Sequence, residues 1–336
     1  MNVQLCVQLG MFLFLTVLVC FKKFKKNVEK IVKIIYNMQG NNPVKGEPKM
    51  AIIIDGKLLA KKIREGLKEE CDRLKIEGIT PKLAVIMVGD NPASKVYVRN
   101  KSKACSEVGI EYQEYILGEK TTQEELLELI KKLNQDNETN GILLQSPLPK
   151  HLNINEAFKA ITYIKDVDGF TPASVGKLCI GEDTFISCTP YGVMKMFEEY
   201  NINLEGKEIV ILGRSNIVGK PLIQCCLQKN ATVTVCHSKT KNLEEHTKRA
   251  DIVISAIGQS KFVKADMVKD GVVIIDVGIN RDENGKLTGD VDFENVEKKA
   301  SYITPVPGGV GPMTIAMLMN NVIKATKEQQ KAKSML

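Results

Sequence analysis

The chain has 336 residues, 43% of them hydrophobic, enough for two domains with cores of their own. Its net charge of +7 is misplaced for a nucleic-acid binder. Residues 1–49 hold eight lysines and two glutamates, a net +6, and the other 287 residues carry only +1. The nine cysteines form no C-x-x-C pair and no metal-ligand spacing with the three histidines, so no metal is expected and reduced cytoplasmic thiols fit best.

Met1 to Phe21 is uncharged and mostly apolar, and Lys22, Lys23, Lys25 and Lys26 follow it. A membrane span needs ~20 apolar residues, so residues 1–21 are a candidate anchor whose lysines would keep the body cytoplasmic. A signal peptide fits less well, because no basic residue precedes the apolar run and no A-x-A site follows it. The preferred expectation is a gene start placed too early. Lys45-Gly46-Glu47 is encoded by AAR-GGN-GAR, a purine run of ribosome-binding type just ahead of Met50, and the globular pattern begins at Ala51-Ile52-Ile53-Ile54.

The body alternates strand and helix patterns, which predicts an α/β fold with largely parallel sheets. Strands are expected at 83–88, 112–117 and 141–144, with helices at 94–108 and 123–134. Pro- and Gly-rich loops follow at 145–149 and 166–172. A helix at 190–200, with Thr189 as N-cap and Pro190 at N1, leads to a second α/β series. Its strands are expected at 208–212, 232–236, 252–255 and 272–277, the spacing of a Rossmann-type sheet. Asp282-Glu283-Asn284-Gly285 carries an Asn-Gly hairpin signal, and a last helix is expected at 312–327. The expected partition is an extension at 1–49, one α/β domain from 50–189 plus 312–330, and a Rossmann-type domain at 190–311, with a cleft between the two domains.

Gly213-Arg214-Ser215-Asn216-Ile217-Val218-Gly219-Lys220-Pro221 joins the strand at 208–212 to a helix at 220–229. A glycine loop in that position presents backbone N–H groups and a helix N-terminus to a phosphate. Ser215 and Val218 stand where the G-x-G-x-x-G fingerprint needs glycines. An NAD-preferring unit ends its second strand in an acidic residue; this one ends Cys236-His237-Ser238-Lys239. Ser238, with Arg214 on the neighbouring strand end, suits a 2′-phosphate, and a charge-assisted bond of that kind is worth ~1.5–3 kcal/mol. The residues therefore favour NADP. Separately, Arg214 reads equally well as a solvated loop residue and Ser238 as a turn residue.

Tyr97 and Lys101, at i and i+4, share a helix face with Cys105 and Val108, which turns toward protein. Partial burial lowers a lysine pKa into a range useful for acid–base work. Taken alone, such a lysine is more often a stem lying along the surface. Gln145 ends a strand, and Lys165-Asp166-Val167-Asp168-Gly169 sets two carboxylates in a tight turn, where one can bind the amino-pyrimidine edge of a heterocycle and either can be a plain turn-former.

Five segments carry a family resemblance: Ser94-x-x-Tyr97-Val98-x-x-Lys101, Gln145-x-Pro147-Leu148-Pro149, 165–169, 213–221 and 304–314. From about Ala51 to Lys327 the chain resembles the bifunctional methylenetetrahydrofolate dehydrogenase/methenyltetrahydrofolate cyclohydrolases of FolD type. Ser146 departs from the family's usual apolar residue. The resemblance implies NADP-dependent oxidation of methylenetetrahydrofolate and hydrolysis of the product by a homodimer. It implies that Lys101 serves the hydrolysis, that Gln145 sets its protonation, that Tyr97 packs on the folate ring and that Asp168 recognises the pterin. Val98, Leu144, Ser146, Pro307, Gly308, Gly309 and Gly311 would complete the folate site. Gly213, Arg214, Ser215, Ser238 and Ile279 would contact NADP. The alternatives are a monofunctional dehydrogenase, against which intact Lys101 and Gln145 argue, and a membrane-tethered, non-catalytic folate- or nucleotide-binding protein.

Overall fold

The computed structural model describes residues 50–334. The segment expected to be an anchor or an over-extended start lies outside the described residues. No described helix is long and apolar enough to cross a membrane.

The first part of the body is built on a three-stranded parallel sheet. β1 (Ile52–Ile53) leads into α1 (Gly56–Ile76), whose first turn is capped by the Asp55 carboxylate accepting the Leu58 N–H. There follow β2 (Lys82–Val88), α2 (Pro92–Val108), β3 (Glu111–Leu117), α3 (Gln123–Gln135) and β4 (Gly141–Leu144). The unbroken apolar run of β2 is buried on both faces, and it lies between β3 and β4 in the order β3-β2-β4. Thr122 and Glu125 close a capping box on α3.

α4 (Ile154–Ala160), α5 (Pro172–Ile180) and α6 (Cys188–Glu199) carry the chain to the second sheet. α6 starts earlier than its sequence suggests. Ser187 is the N-cap, and its hydroxyl bonds the Ile217 carbonyl instead of the helix. Thr189 lies inside the first turn and meets Thr314 at 2.9 Å. Pro190 is tolerated there because N–H groups of a first helical turn have no intrahelical partner.

β5 (Glu208–Leu212), α7 (Gly219–Leu227), β6 (Thr232–Cys236), α8 (Leu243–Arg249), β7 (Ile252–Ser255) and β8 (Val273–Asp276) form the second α/β series, close to the expected bounds. β9 (Asn280–Arg281) and β10 (Leu287–Thr288) make a small antiparallel hairpin. Its connection is not a two-residue Asn-Gly turn. Asp282 closes it by bonding Lys286 in both directions, and of the loop only Gly285 has positive φ. α9 (Phe293–Val296), β11 (Tyr302–Ile303) and α10 (Val310–Ser334) complete the chain.

The second sheet is parallel throughout, in the order β1-β11-β8-β7-β5-β6. β1 thus pairs with Tyr302 and Ile303 and not with the first sheet, although α1 returns to the first part. α10 runs back across the molecule and packs on α6, α1 and α2, burying Met313, Met317, Met319 and Val322.

Candidate active site

The site starts from the register of α2. Cys105 and Val108 are fully buried, and Cys105 Sγ lies 3.5 Å from Met319 Sδ of α10. One turn back Lys101 is half-buried, and one turn further Tyr97 is 42% exposed. A single helix face thus runs from core to cleft. Lys101 Nζ donates to Gln145 Oε1 at 2.9 Å. Gln145 is itself fixed: its backbone N–H bonds Ile86 O at 2.8 Å, and its Nε2 donates to Ser146 O at 2.7 Å.

The acidic turn separates its two carboxylates by role. Asp166 accepts from Phe170 N, Thr171 N and Ser174 Oγ, so it holds the turn. Among the described residues Asp168 keeps only a weak hydrogen bond, from Cys188 Sγ at 3.7 Å. Asn321 of α10 pins the turn from below by donating to Val167 O and Ile186 O. Burial pushes the Asp168 carboxyl up to about 6, against the opposing field of Lys101. Burial likewise lowers the Lys101 ammonium, against the field of Asp168. The environment therefore draws a base and an acid toward each other in protonation range.

Beside this cluster a groove of about 450 Å³ opens between α2 and the 305–309 loop with the first turn of α10. Tyr97, Pro307, Gly308, Gly309 and Gly311 line it, together with Ile279, whereas Lys101, Gln145 and Asp168 do not. The Lys57 N–H at the start of α1 holds Gly308 O at 2.9 Å. Ser146 is partly exposed, but the side chains of Val98 and Leu144 belong to the cores. Sequence reasoning missed Asn100, three residues on from Tyr97, and Lys103, three further, which also line the groove from α2, and Arg64 and Arg281, which the fold brings in from other elements.

On the nucleotide side β5 and β6 are neighbours with Leu212 opposite Cys236, so Gly213–Ser215 and Ser238 leave adjacent strand ends. Gly213 has φ +112, and a Cβ there would collide with Ala256 O. A Cβ on Gly219 would collide with Gly213 O and the Arg214 backbone, so the loop folds onto its own helix. Ser215 Oγ accepts from Val218 N at 3.1 Å and from Gly219 N at 3.4 Å. By accepting these two N–H groups the hydroxyl holds the loop closed onto the start of α7. Arg214 and Ser238 are exposed, and among the described residues their side chains carry no hydrogen bond. A tight glycine cradle, a free guanidinium and an acid-free second strand end suit a phosphorylated nucleotide of NADP type. Among the described residues no group of three or more His, Cys, Asp or Glu side chains is placed to hold a metal ion.

Known proteins decide the family. The catalytic-domain model of tetrahydrofolate dehydrogenase/cyclohydrolase matches residues 54–168, and the NAD(P)-binding-domain model of the same family matches residues 187–330. The chain belongs to the tetrahydrofolate dehydrogenase/cyclohydrolase family. A family member, the bifunctional protein FolD of Acetivibrio thermocellus, is 57% identical over 283 residues, covering 84% of this chain and 99% of the relative. The crystal structure of the bifunctional FolD enzyme from Campylobacter jejuni superposes with TM-score 0.82 at 54% identity, covering 83% of this chain and 99% of that one. The Trypanosoma brucei FolD structure, complexed with NADP and an inhibitor, gives TM-score 0.81 at 36% identity, covering 84% and 99%.

Proposed function

We propose that the protein oxidises 5,10-methylenetetrahydrofolate to 5,10-methenyltetrahydrofolate with NADP and hydrolyses that product to 10-formyltetrahydrofolate. The Lys101–Gln145 contact at 2.9 Å carries the reading, because it holds an amine of depressed basicity beside the groove that Tyr97 lines, one helical turn away. NADP, when bound, supplies the hydride acceptor.

The chain's own residues position and deprotonate. Gly213, Arg214, Ser215 and Ser238 hold the phosphate-bearing end of the cofactor, and Ile279 packs on its face. Tyr97 lies along the folate ring, with Pro307, Gly308, Gly309 and Gly311 as the opposite wall. Asp168 takes the amino-pyrimidine edge, for which its only weakly engaged carboxyl suits it. Hydride loss leaves the methenyl carbon cationic. Water adds to that carbon, and the neutral Lys101 amine accepts a proton from it. The bond from that carbon to N5 then breaks, and Lys101 returns its proton to N5. The hydroxyl proton leaves to solvent as the formyl C=O forms on N10. Gln145 keeps the amine oriented throughout, because Oε1 is aimed at Nζ by the Nε2 bond to Ser146 O.

The test is an assay of the protein with methylenetetrahydrofolate and each nicotinamide cofactor. NADPH formation with release of 10-formyltetrahydrofolate is expected; reduction of NAD but not NADP would overturn the roles given to Arg214 and Ser238. The same reading makes the protein a cytoplasmic homodimer, and light scattering that finds only monomer at working concentration counts against it.

A further inference from the structure

The folate and NADP contacts leave two buried carboxylates unused. Asp276, at the end of β8, and Asp290, after β10, are 3% and 0% exposed, and neither meets a basic side chain in an ion pair among the described residues. Asp290 is saturated with donors. Its Oδ2 accepts from Ser255 Oγ at 3.0 Å, Ile257 N at 2.8 Å and Gly258 N at 3.3 Å. Its Oδ1 accepts from Gln259 N at 2.9 Å and Asn280 Nδ2 at 3.0 Å. Asp276 accepts from Gly278 N, Asp290 N and Val291 N, each at 2.9 Å.

Three successive backbone N–H groups converging on one anion form the kind of nest that proteins use to bind phosphate. In the turn after β7 the anion is built in. That turn is closed to a cofactor phosphate, which leaves the Gly213 loop to hold it. The turn is also the wall behind that loop, since Gly213 approaches Ala256 too closely for any Cβ. On the other flank, Asn280 and Gly278 bracket Ile279, which is 48% exposed toward the groove. The fit is tight. A Cβ on Gly278 would strike the Asp290 carboxylate, and one on Gly289 would strike that of Asp276.

We propose that Asp290 is the positioning residue of the NADP half of the cleft. One carboxylate ties the turn after β7 to the segment carrying Ile279, and so fixes the wall behind the Gly213 loop together with the cleft-facing side chain. It makes no hydrogen bond to Lys101, Gln145 or Asp168, so the hydrolytic step is insulated from it. The assignment rests on the NADP-dependent reaction proposed above.

The experiment is Asp290→Asn in the full chain, with NADP affinity read by calorimetry and the two activities assayed apart. Hydrolysis is measured on methenyltetrahydrofolate without cofactor. A rise in the NADP Kd of at least ~10-fold is expected, with a matching rise in KM for NADP, because hydrogen bonds to a charged group are lost. Hydrolysis should stay within about twofold, since its groups are untouched. Where Asp290→Asn fails to fold, Asn280→Ala decides. It removes one donor, keeps the carboxylate, and should raise the Kd by about threefold or more. An unchanged NADP Kd in the folded variant, or equal loss of both activities, would overturn the proposal. Because binding is read directly, the comparison decides the role of Asp290 even if the wild type failed to oxidise folate.

Discussion

Replacing Lys101 by methionine separates chemistry from architecture. Methionine keeps most of the aliphatic stem, so the packing of the stem in its half-buried place on α2 survives. What is lost is the amine and its 2.9 Å bond to Gln145 Oε1. General acid–base catalysis by one positioned group contributes about 10²- to 10⁴-fold, or ~2.7 to ~5.4 kcal/mol at ~1.36 kcal/mol per decade. Cyclohydrolase activity should fall by that factor. The stability effect has the opposite tendency. Burial lowers the folded-state pKa of Lys101, so between the folded and unfolded pKa values the unfolded chain binds more protons. Stability from this group is present above the unfolded pKa and is lost as pH falls through the folded one. At neutral pH the lysine is therefore a burden to the fold, which offsets the ~0.5–1.5 kcal/mol of its hydrogen bond. The variant should melt at or above the wild-type temperature.

The assay follows decay of methenyltetrahydrofolate in the absence of cofactor, beside NADPH formation from methylenetetrahydrofolate and a thermal melt. The reasoning fails if the variant hydrolyses the methenyl compound at the wild-type rate. It fails differently if hydrolysis and melting temperature collapse together, since the lysine would then be structural.

Gln145→Glu places a carboxylate against the amine and should raise the Lys101 pKa, moving the alkaline rise of cyclohydrolase activity to higher pH; an unmoved pH profile refutes the coupling. Asp168→Asn should raise KM for folate ~10- to 100-fold, because one charge-assisted bond is worth ~1.5–3 kcal/mol. Since burial raises the Asp168 pKa to about 6, the folded state holds more protons than the unfolded one between the ordinary carboxylate range and that value. The wild type accordingly loses stability as pH rises through this window, and the melting advantage of Asp168→Asn should widen from pH 4 to pH 7. Arg214→Ala should cost ~10- to 100-fold in NADP affinity and leave NAD affinity within about twofold, measured by calorimetry, since only the phosphate contact differs.

Local pattern made much of the fold legible. The strands at 208–212 and 252–255 fall where the apolar runs place them, because a parallel strand buried on both faces shows as an unbroken run, and the edge strand at 232–236 shows instead as alternating Thr and Val. α1 was also within reach: its buried Leu59, Leu67, Cys71 and Leu74 recur at helical spacing, yet no helix was expected between Ile54 and Leu83. β1 was beyond reach. It is two residues long, and its partner Tyr302 lies at the far end of the body, so no local periodicity encodes the pairing. The same holds for Asp290. Its donors come from residues 255–259 and 280, and each looks like an ordinary loop or strand-end residue until the fold converges them.

The helix phase of α2 explains why the catalytic lysine is the hardest residue to read from sequence and the most informative once placed. Spacing puts Tyr97, Lys101 and Cys105 on one face, but that face is compatible with a solvated stem. Three separate neighbours decide otherwise. Met319 of α10 closes over Cys105, Gln145 just past β4 captures the amine, and Asp168 beyond α4 supplies the opposing field. None is within 40 residues of Lys101 in the chain. Depressed basicity is thus a property of three-dimensional convergence, whereas the phosphate loop is a property of nine consecutive residues. Substitutions at Met319 or Asn321 should accordingly reach the hydrolytic step from a distance, by loosening the walls around Lys101 and Asp168.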